Sequence, residues 1–416
     1  MPEDPAALPT PTVGVRSIVV LGLLSTFGPL SLDLYLPALP QLADELRSSP
    51  SAAQLTITAC LVGLAVGQLV AGPLSDRFGR RRPLLVGLVA YLLASVACAL
   101  APSVAVLVVL RLVQGLGGAA GLVIARAVAR DLHSGRALVV FFSRLTLISG
   151  LAPVVAPLLG GQLSRVMSWR GLFGVLAGFG LLLLVAGLLQ RETLAPAMRT
   201  TGGLSATLRG FGVLLADRAF VGTAAASGLA SASLFAYIAG STFVLQKIYG
   251  LSAPSFSLAF GLNSVGIMVM SQVGGRLSRT LPPARVLALG LGLNLLGAAA
   301  LATTVVSGLG LPVLMVSLFV MVSALGLVFP TATAIAMSGY PDQAGTASSL
   351  LGLGQFLVGA VVAPLVGIGG EGTAVPLGMV ALSVSAGATV VFLLVARPAL
   401  RRDDGDGVLP DRPAPA

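Results

Sequence analysis

The sequence holds 416 residues, 56% of them hydrophobic and only 10% charged, against roughly a quarter charged in ordinary globular domains. So few charges cannot cover a water-facing surface, which excludes a soluble fold and leaves a chain that faces lipid over most of its area. The net charge of +10 would suit nucleic acid if it clustered on a soluble face, but its arginines and single lysine are scattered among short connectors between apolar runs.

Residues 1–15 are acidic and proline-rich, lack a basic leader, and read as a tail. About twenty apolar residues cross a bilayer core. That ruler places spans at 16–38, 53–74, 83–101, 104–127, 137–162 and 169–190, forming an N-terminal half over 16–190. The break between the third and fourth spans rests on Ala101-Pro102-Ser103 alone. A polar connector over 191–217 reads as a cytoplasmic linker, and six more spans follow at 219–246, 255–275, 284–306, 310–336, 345–368 and 373–396, in a C-terminal half over 218–396. The charged, Pro- and Gly-rich stretch over 397–416 reads as a disordered tail.

Twelve spans put both termini on one side. Placing them in the cytoplasm gives that side about seventeen arginines, against Arg47, Arg165, Arg170 and Lys247 outside. That bias fixes the expected orientation in a bacterial inner membrane, and abundant Arg over Lys suggests a GC-rich genome. The chain also repeats itself. Gly72-Pro73-Leu74-Ser75 has a counterpart in Gly275-Arg276-Leu277-Ser278, and Ala156-Pro157-Leu158-Leu159-Gly160 in Ala363-Pro364-Leu365-Val366-Gly367. The expected fold is an all-α membrane protein of twelve transmembrane helices in two pseudo-symmetric six-helix bundles, with a site near the midplane between them.

Several chemistries drop out. Lys247 is followed by Ile248, so there is no phosphate-binding Walker loop. His133 is the only histidine, which excludes zinc-protease and His-based triad chemistry. Cys60 and Cys98 lie inside apolar runs and read as small packing residues. Gly115-x-Gly117-x-x-Ala120 sits within a span, so close helix packing explains it better than dinucleotide binding. Work must come from an ion gradient. The chain is not expected to be an enzyme, to need a cofactor or metal, or to bind nucleic acid, and a monomer is expected.

Sorting charges is more informative. Every Asp and Glu lies in a connector or tail except Asp33 in the first span, and Arg111, Arg126 and Arg144 are similarly embedded. A charge at mid-bilayer costs roughly 2.5–3.5 kcal/mol, so it is expected to face an interior cavity and carry function. Burial favours a neutral acid, whereas a cation or an opened water path favours the carboxylate. Asp33 can therefore carry a proton, with Arg111 as electrostatic partner. The plainer alternative is a carboxylate capping a helix broken by Pro29 and Pro37.

The run Gly72-Pro73-Leu74-Ser75-Asp76-Arg77-Phe78-Gly79-Arg80-Arg81-Arg82 resembles the loop 2–3 signature of the major facilitator superfamily. That resemblance implies a conformational latch of Gly72, Asp76, Arg77, Gly79, Arg80 and Arg81, with Asp131 as acidic partner of Arg77 or Arg80. Arg111-Leu112-Val113-Gln114-Gly115 is similar to the family's span-four signature, linked to proton transfer. Span five carries Pro153, Pro157, Gly160 and Gly161 in a pattern similar to the antiporter signature, though with Ala152 and Ala156 where Gly is usual. With Gly115 they form a helix-packing set.

Asp33-Leu34-Tyr35-Leu36-Pro37-Ala38-Leu39-Pro40 resembles the first helix of the bicyclomycin/chloramphenicol-resistance (Bcr/CflA) drug exporters. So do Ala125 to Leu132, Phe235 to Ser241 and Ala344 to Leu350. The resemblance implies a drug:proton antiporter that works by alternating access. Its partners would be small-molecule substrate, protons and the lipid bilayer. Tyr35, Tyr237, Gln246, Asn263 and Phe329 are candidate cavity residues, aromatics for flat apolar surfaces and amides for hydrogen bonds. Export of a neutral metabolite, and a non-transporting sensor or scaffold, stay open as alternatives.

Overall fold

The computed structural model describes residues 15–132, 135–199, 211–340, 344–370 and 372–400. Residues 1–14 and 401–416 of the tails, His133, residues 200–210 of the linker and the side chain of Arg144 lie outside the described residues, while 397–400, expected within the disordered tail, continue the last helix.

The described regular structure is helical throughout. In the first half, α1 (Val15–Leu24), α2 (Phe27–Asp33) and α3 (Leu39–Glu45) make one segmented crossing. It is followed by α4 (Pro50–Phe78), α5 (Arg81–Ala99), α6 (Val104–Leu132), α7 (Gly135–Leu163) and α8 (Trp169–Leu188). The second half runs through α9 (Arg218–Phe243), α10 (Ala253–Leu277), α11 (Pro283–Ser307), α12 (Leu311–Ser323), α13 (Leu325–Ser338), α14 (Ala344–Val362) and α15 (Val375–Val391). Ten spans among the described residues are long and apolar enough to cross a membrane, with α12 and α13 counted as one. The segmented first crossing and the 29-residue α7 complete the twelve.

The first crossing departs from the expected unbroken span over 16–38. Ser25 Oγ and Thr26 Oγ1 donate to the carbonyls of Leu21 and Leu23 at 2.9 and 2.8 Å. Those side chains compete with the helix ladder at the very point where α1 ends. Pro29 then removes one more N–H donor. Further on, Pro37 and Pro40 occupy first-turn positions of a 3₁₀ turn (Leu36–Ala38) and of α3. A first turn tolerates proline, so the chain stays helical to Glu45, well past the expected end.

Helix pairings repeat between the halves: α4 packs on α6 as α10 packs on α12 and α13, α5 on α8 as α11 on α15, and α1 and α2 on α7 as α9 on α14. Reciprocal glycines let α4 and α6 touch backbone to backbone. A Cβ on Gly63 would lie 2.9 Å from the Leu116 nitrogen, and one on Gly115 would lie 3.0 Å from the Leu64 nitrogen. Without a hydrophobic force between helices in lipid, such close approach is what holds them. Outward faces carry exposed Val86, Leu93, Leu182, Leu262, Leu296 and Leu394.

Chain direction alternates, so the connectors after α3, α5, α7, α9, α11 and α14 share one end, named here for Lys247. The other end carries the arginine-rich connectors. The halves are joined at the Lys247 end. Lys247 Nζ pairs with Asp44 at 2.6 Å, Gln246 Nε2 donates to Pro37 O at 3.0 Å, and Gln54 Nε2 to Ala239 O at 3.1 Å. Ser51, Thr58 and Ser264 also donate across to backbone carbonyls. Among the described residues no hydrogen bond joins the halves at the arginine-rich end.

Candidate functional site

Asp33 is the last residue of α2 and only 5% exposed. Its carboxylate forms no hydrogen bond or ion pair among the described residues, so it does not cap the break. Tyr237 on α9, in the opposite half, is close enough to feel its charge. Tyr237 Oη accepts from Asn263 Nδ2 at 2.8 Å, and its ring stacks on Phe260 at 5.2 Å. Asn263 Oδ1 has no partner. Of the sequence candidates, the structure thus joins Tyr237 and Asn263 directly and couples the uncompensated Asp33 carboxyl to that phenol across the halves.

Arg111 does not meet Asp33. It is fully buried within the first half, where its guanidinium lies over the Tyr35 ring at 4.5 Å and the Phe173 ring at 5.6 Å. Nη1 donates to Gln114 Oε1 and Nε to Thr56 O at 3.4 Å, leaving Nη2 unpartnered. Gln114 Nε2 passes the chain on to Ser95 Oγ at 2.7 Å. The cation is held by ring faces and amide oxygens in place of a carboxylate, and the partnership expected with Asp33 is absent.

Tyr35 belongs to this Arg111 cluster. Because Thr56 Oγ1 donates to Ala53 O at 2.6 Å, its contact with Tyr35 Oη at 2.9 Å is a bond donated by the phenol. Gln246 works at the Lys247-end contact, and Phe329 packs against the second half's own core beside Leu325 and Val328. The structure does not bring these three to the Asp33–Tyr237–Asn263 group.

At the arginine-rich end, Arg80 is the hub. Its Nε and Nη2 donate to Asp131 at 2.8 and 3.3 Å, and its Nη1 to Ser75 Oγ at 2.9 Å and to Asp76. Of the two arginines proposed for Asp131, Arg80 is therefore the partner, while Arg77 lies over the Phe78 ring. Burial works against the Arg80 charge, but the bonds to Asp131 and Asp76 outweigh it and hold the guanidinium above its ordinary pKa. Arg81 Nη2 reaches Leu188 O at 2.9 Å. Gly79 is required: its φ is +88°, and a Cβ there would meet the Glu192 carboxyl carbon at 2.9 Å. Gly72 has ordinary space, with only Val123 at 3.8 Å.

Sequence reasoning missed Glu192. At the start of the linker, its carboxylate accepts from the backbone N–H groups of Arg80 at 2.8 Å and Arg81 at 3.2 Å, which open α5. It also accepts from Thr193 and Leu194 at 3.0 Å each. Burial raises the carboxyl, but these N–H donors prevail and hold it below the usual carboxylate range. Thr193 Oγ1 donates to Asp131 Oδ2 at 3.0 Å, completing a strap from linker to latch. The available signal was a lone acid among arginines just past span six.

The packing set behaves as its residue types dictate. Gly160 lies against the Leu34 carbonyl and Gly161 against Ser257 of the other half, while Pro153 and Pro157 lie inside α7. Among the described residues there is no cluster of ligands suited to a metal ion.

Comparison with known proteins follows the same lines. The model of the family described as Major Facilitator Superfamily matches residues 21–364. The chain is 40% identical over 365 residues to the MFS-type transporter YdgK of Bacillus subtilis (strain 168), covering 87% of this chain and 90% of that one. It is 32% identical to a bicyclomycin resistance protein homolog of Haemophilus influenzae (86% and 91% covered). It is 30% identical to a chloramphenicol resistance protein of Pseudomonas aeruginosa (94% and 92% covered). Among solved structures, a bacterial homolog of the lysosomal transporter Spinster, inward-facing and unoccupied, superposes with a TM-score of 0.72 at 14% identity, covering 95% and 99% of the two chains.

Proposed function

The chain belongs to the major facilitator superfamily and is a multi-pass membrane transporter, and on that premise we propose that it exports small drug-like molecules in exchange for protons. The observation that carries this reading is Asp33: a single carboxyl, 5% exposed, between the halves, with no cation against it. A buried acid in that position exchanges its proton with whichever side has a water path to it. Relatives named for bicyclomycin and chloramphenicol resistance support a drug as cargo.

The arginine-rich end is taken as cytoplasmic, because basic residues are retained on that side. On this orientation the bonds that join the halves lie at the outer end, as an inward-facing state requires, and the termini lie in the cytoplasm. In the cycle, cargo enters between the halves as Asp33 loses its proton to the cytoplasm. The Arg80–Asp131–Glu192 strap keeps the first half rigid as it rocks. Asp33 takes a proton from outside when the Lys247 end opens, and cargo leaves. Tyr237, which feels the Asp33 charge, and its partner Asn263 supply a phenol proton and an unpartnered amide oxygen to the cargo.

Chloramphenicol efflux from vesicles with an imposed pH gradient tests the reading. Asp33→Asn is expected to abolish gradient-driven efflux while leaving folded protein in the membrane. Full gradient-driven efflux from that variant removes proton exchange at Asp33. A susceptibility panel in an efflux-deficient host, including chloramphenicol and bicyclomycin, tests the cargo class.

A further inference from the structure

Two of the bonds that join the halves share an origin. A helical proline has no N–H, so the carbonyl four residues earlier loses its donor, and a buried carbonyl without a partner is costly. Pro157 in α7 orphans the carbonyl of Pro153, and Pro364, just past α14, orphans that of Ala360. In each case a hydroxyl from the opposite half supplies the missing bond. Ser264 Oγ on α10 donates to Pro153 O at 3.1 Å, and Thr58 Oγ1 on α4 donates to Ala360 O at 3.0 Å.

The two devices are related. Pro157 and Pro364 lie 207 positions apart, the spacing of the Ala156 and Ala363 repeat, so the pseudo-twofold relates acceptor to acceptor. Thr58 and Ser264 lie 206 apart on helices whose own repeat is 203 (Gly72 to Gly275), so the donors come from equivalent helices about one turn apart. The backbones beside them also meet closely: Gly161 sits on Ser257, and a Cβ on Gly367 would lie 2.7 Å from the Ser51 backbone. Ser51 Oγ adds a bond to Pro364 O at 2.8 Å.

We propose that Thr58 and Ser264 are positioning residues of the transport cycle, closing the Lys247 end by capping carbonyls that Pro364 and Pro157 have set free. Resting on the alternating-access reading, the arrangement explains how a tight seal stays reversible. Ser264 Oγ also lies 3.1 Å from Phe260 O of its own helix, so its proton has a second acceptor when the halves part. The released carbonyl faces the opening and takes water. Breaking the seal therefore exchanges hydrogen bonds, and neither partner is stranded.

Spin labels at Val166→Cys and Leu309→Cys, exposed on opposite halves at this end, report the closed-to-open ratio as a distance distribution; both native cysteines are buried. Each of Ser264→Ala and Thr58→Val is expected to shift that ratio toward open by about three- to tenfold, the worth of one hydrogen bond. Thr58→Ser and Ser264→Thr are expected to restore it. Pro157→Ala returns an N–H to α7, which reclaims the Pro153 carbonyl, so it is expected to shift the ratio as Ser264→Ala does without adding to it in the double variant. An unchanged distribution with both hydroxyls removed, or additive shifts from Pro157→Ala and Ser264→Ala, overturns the proposal. The distances need neither cargo nor a proton gradient, so a failure here is distinct from a failure of drug–proton exchange.

Discussion

Residue by residue, buried side chains are decided by partners that lie far away in sequence. Asp33 was legible because it is the one acid inside an apolar run, and burial of a carboxyl needs a reason. The neighbours of Arg111 were not legible, because stacking on Phe173 and bonding to Thr56 depend on how α4, α6 and α8 cross. A flat guanidinium between ring faces is not replaced by an ammonium. Arg111→Lys keeps the charge yet is expected to destabilise the fold by about 1–3 kcal/mol, read as a lower thermal midpoint in detergent. Gly115 makes a steric prediction. Gly115→Ala places a methyl 3.0 Å from the Leu64 nitrogen and is expected to cost about 1–3 kcal/mol through overpacking. Gly352→Ala, with nothing within 4 Å of the new methyl, serves as control and is expected to be neutral in the same melt.

At the scale of elements, the bilayer ruler located crossings well and their interruptions poorly. Length and apolarity are summed properties, so the seventh span, expected at 219–246, appears as Arg218–Ile248. Where a helix breaks depends on single side chains such as Ser25 and Thr26, whose competition with the backbone leaves no trace in hydropathy. The linker strap was hidden for a related reason: Glu192 acts through backbone N–H groups of α5, which no motif spells out. Its carboxyl sits below the ordinary range, so its contribution is complete above the unfolded carboxylate pKa and is lost as pH falls through the lower, folded value. Proteolysis of the linker at 191–199 is therefore expected to stay slow at neutral and mildly acidic pH and to accelerate only in stronger acid. Glu192→Ala removes the cap, worth about 0.5–2 kcal/mol for a helix N-terminus, and is expected to cleave quickly across the whole range.

For the whole molecule, the duplicated halves were legible in Ala156-Pro157 and Ala363-Pro364, and the comparisons bear out the family. Sequence gave no sign of which end is sealed, because that is a property of one state in a cycle. It follows from the bonds across the halves, all of them at the Lys247 end among the described residues. Replacing Asp44 and Lys247 with cysteine and joining them with a short cleavable thiol reagent is expected to stop pH-driven efflux. Cleavage is expected to restore it, and the unjoined double variant to transport, since an exposed pair is worth only about 0.2–1 kcal/mol. Efflux that continues while the pair is joined removes opening at this end from the cycle. Lys247 also carries a practical corollary. Apart from the amino terminus it is the only primary amine in the protein, so an acylating dye attaches beside the seam that must part. One such tag would erase the ammonium charge and turn the mouth of the carrier into an optical gauge of its own movement.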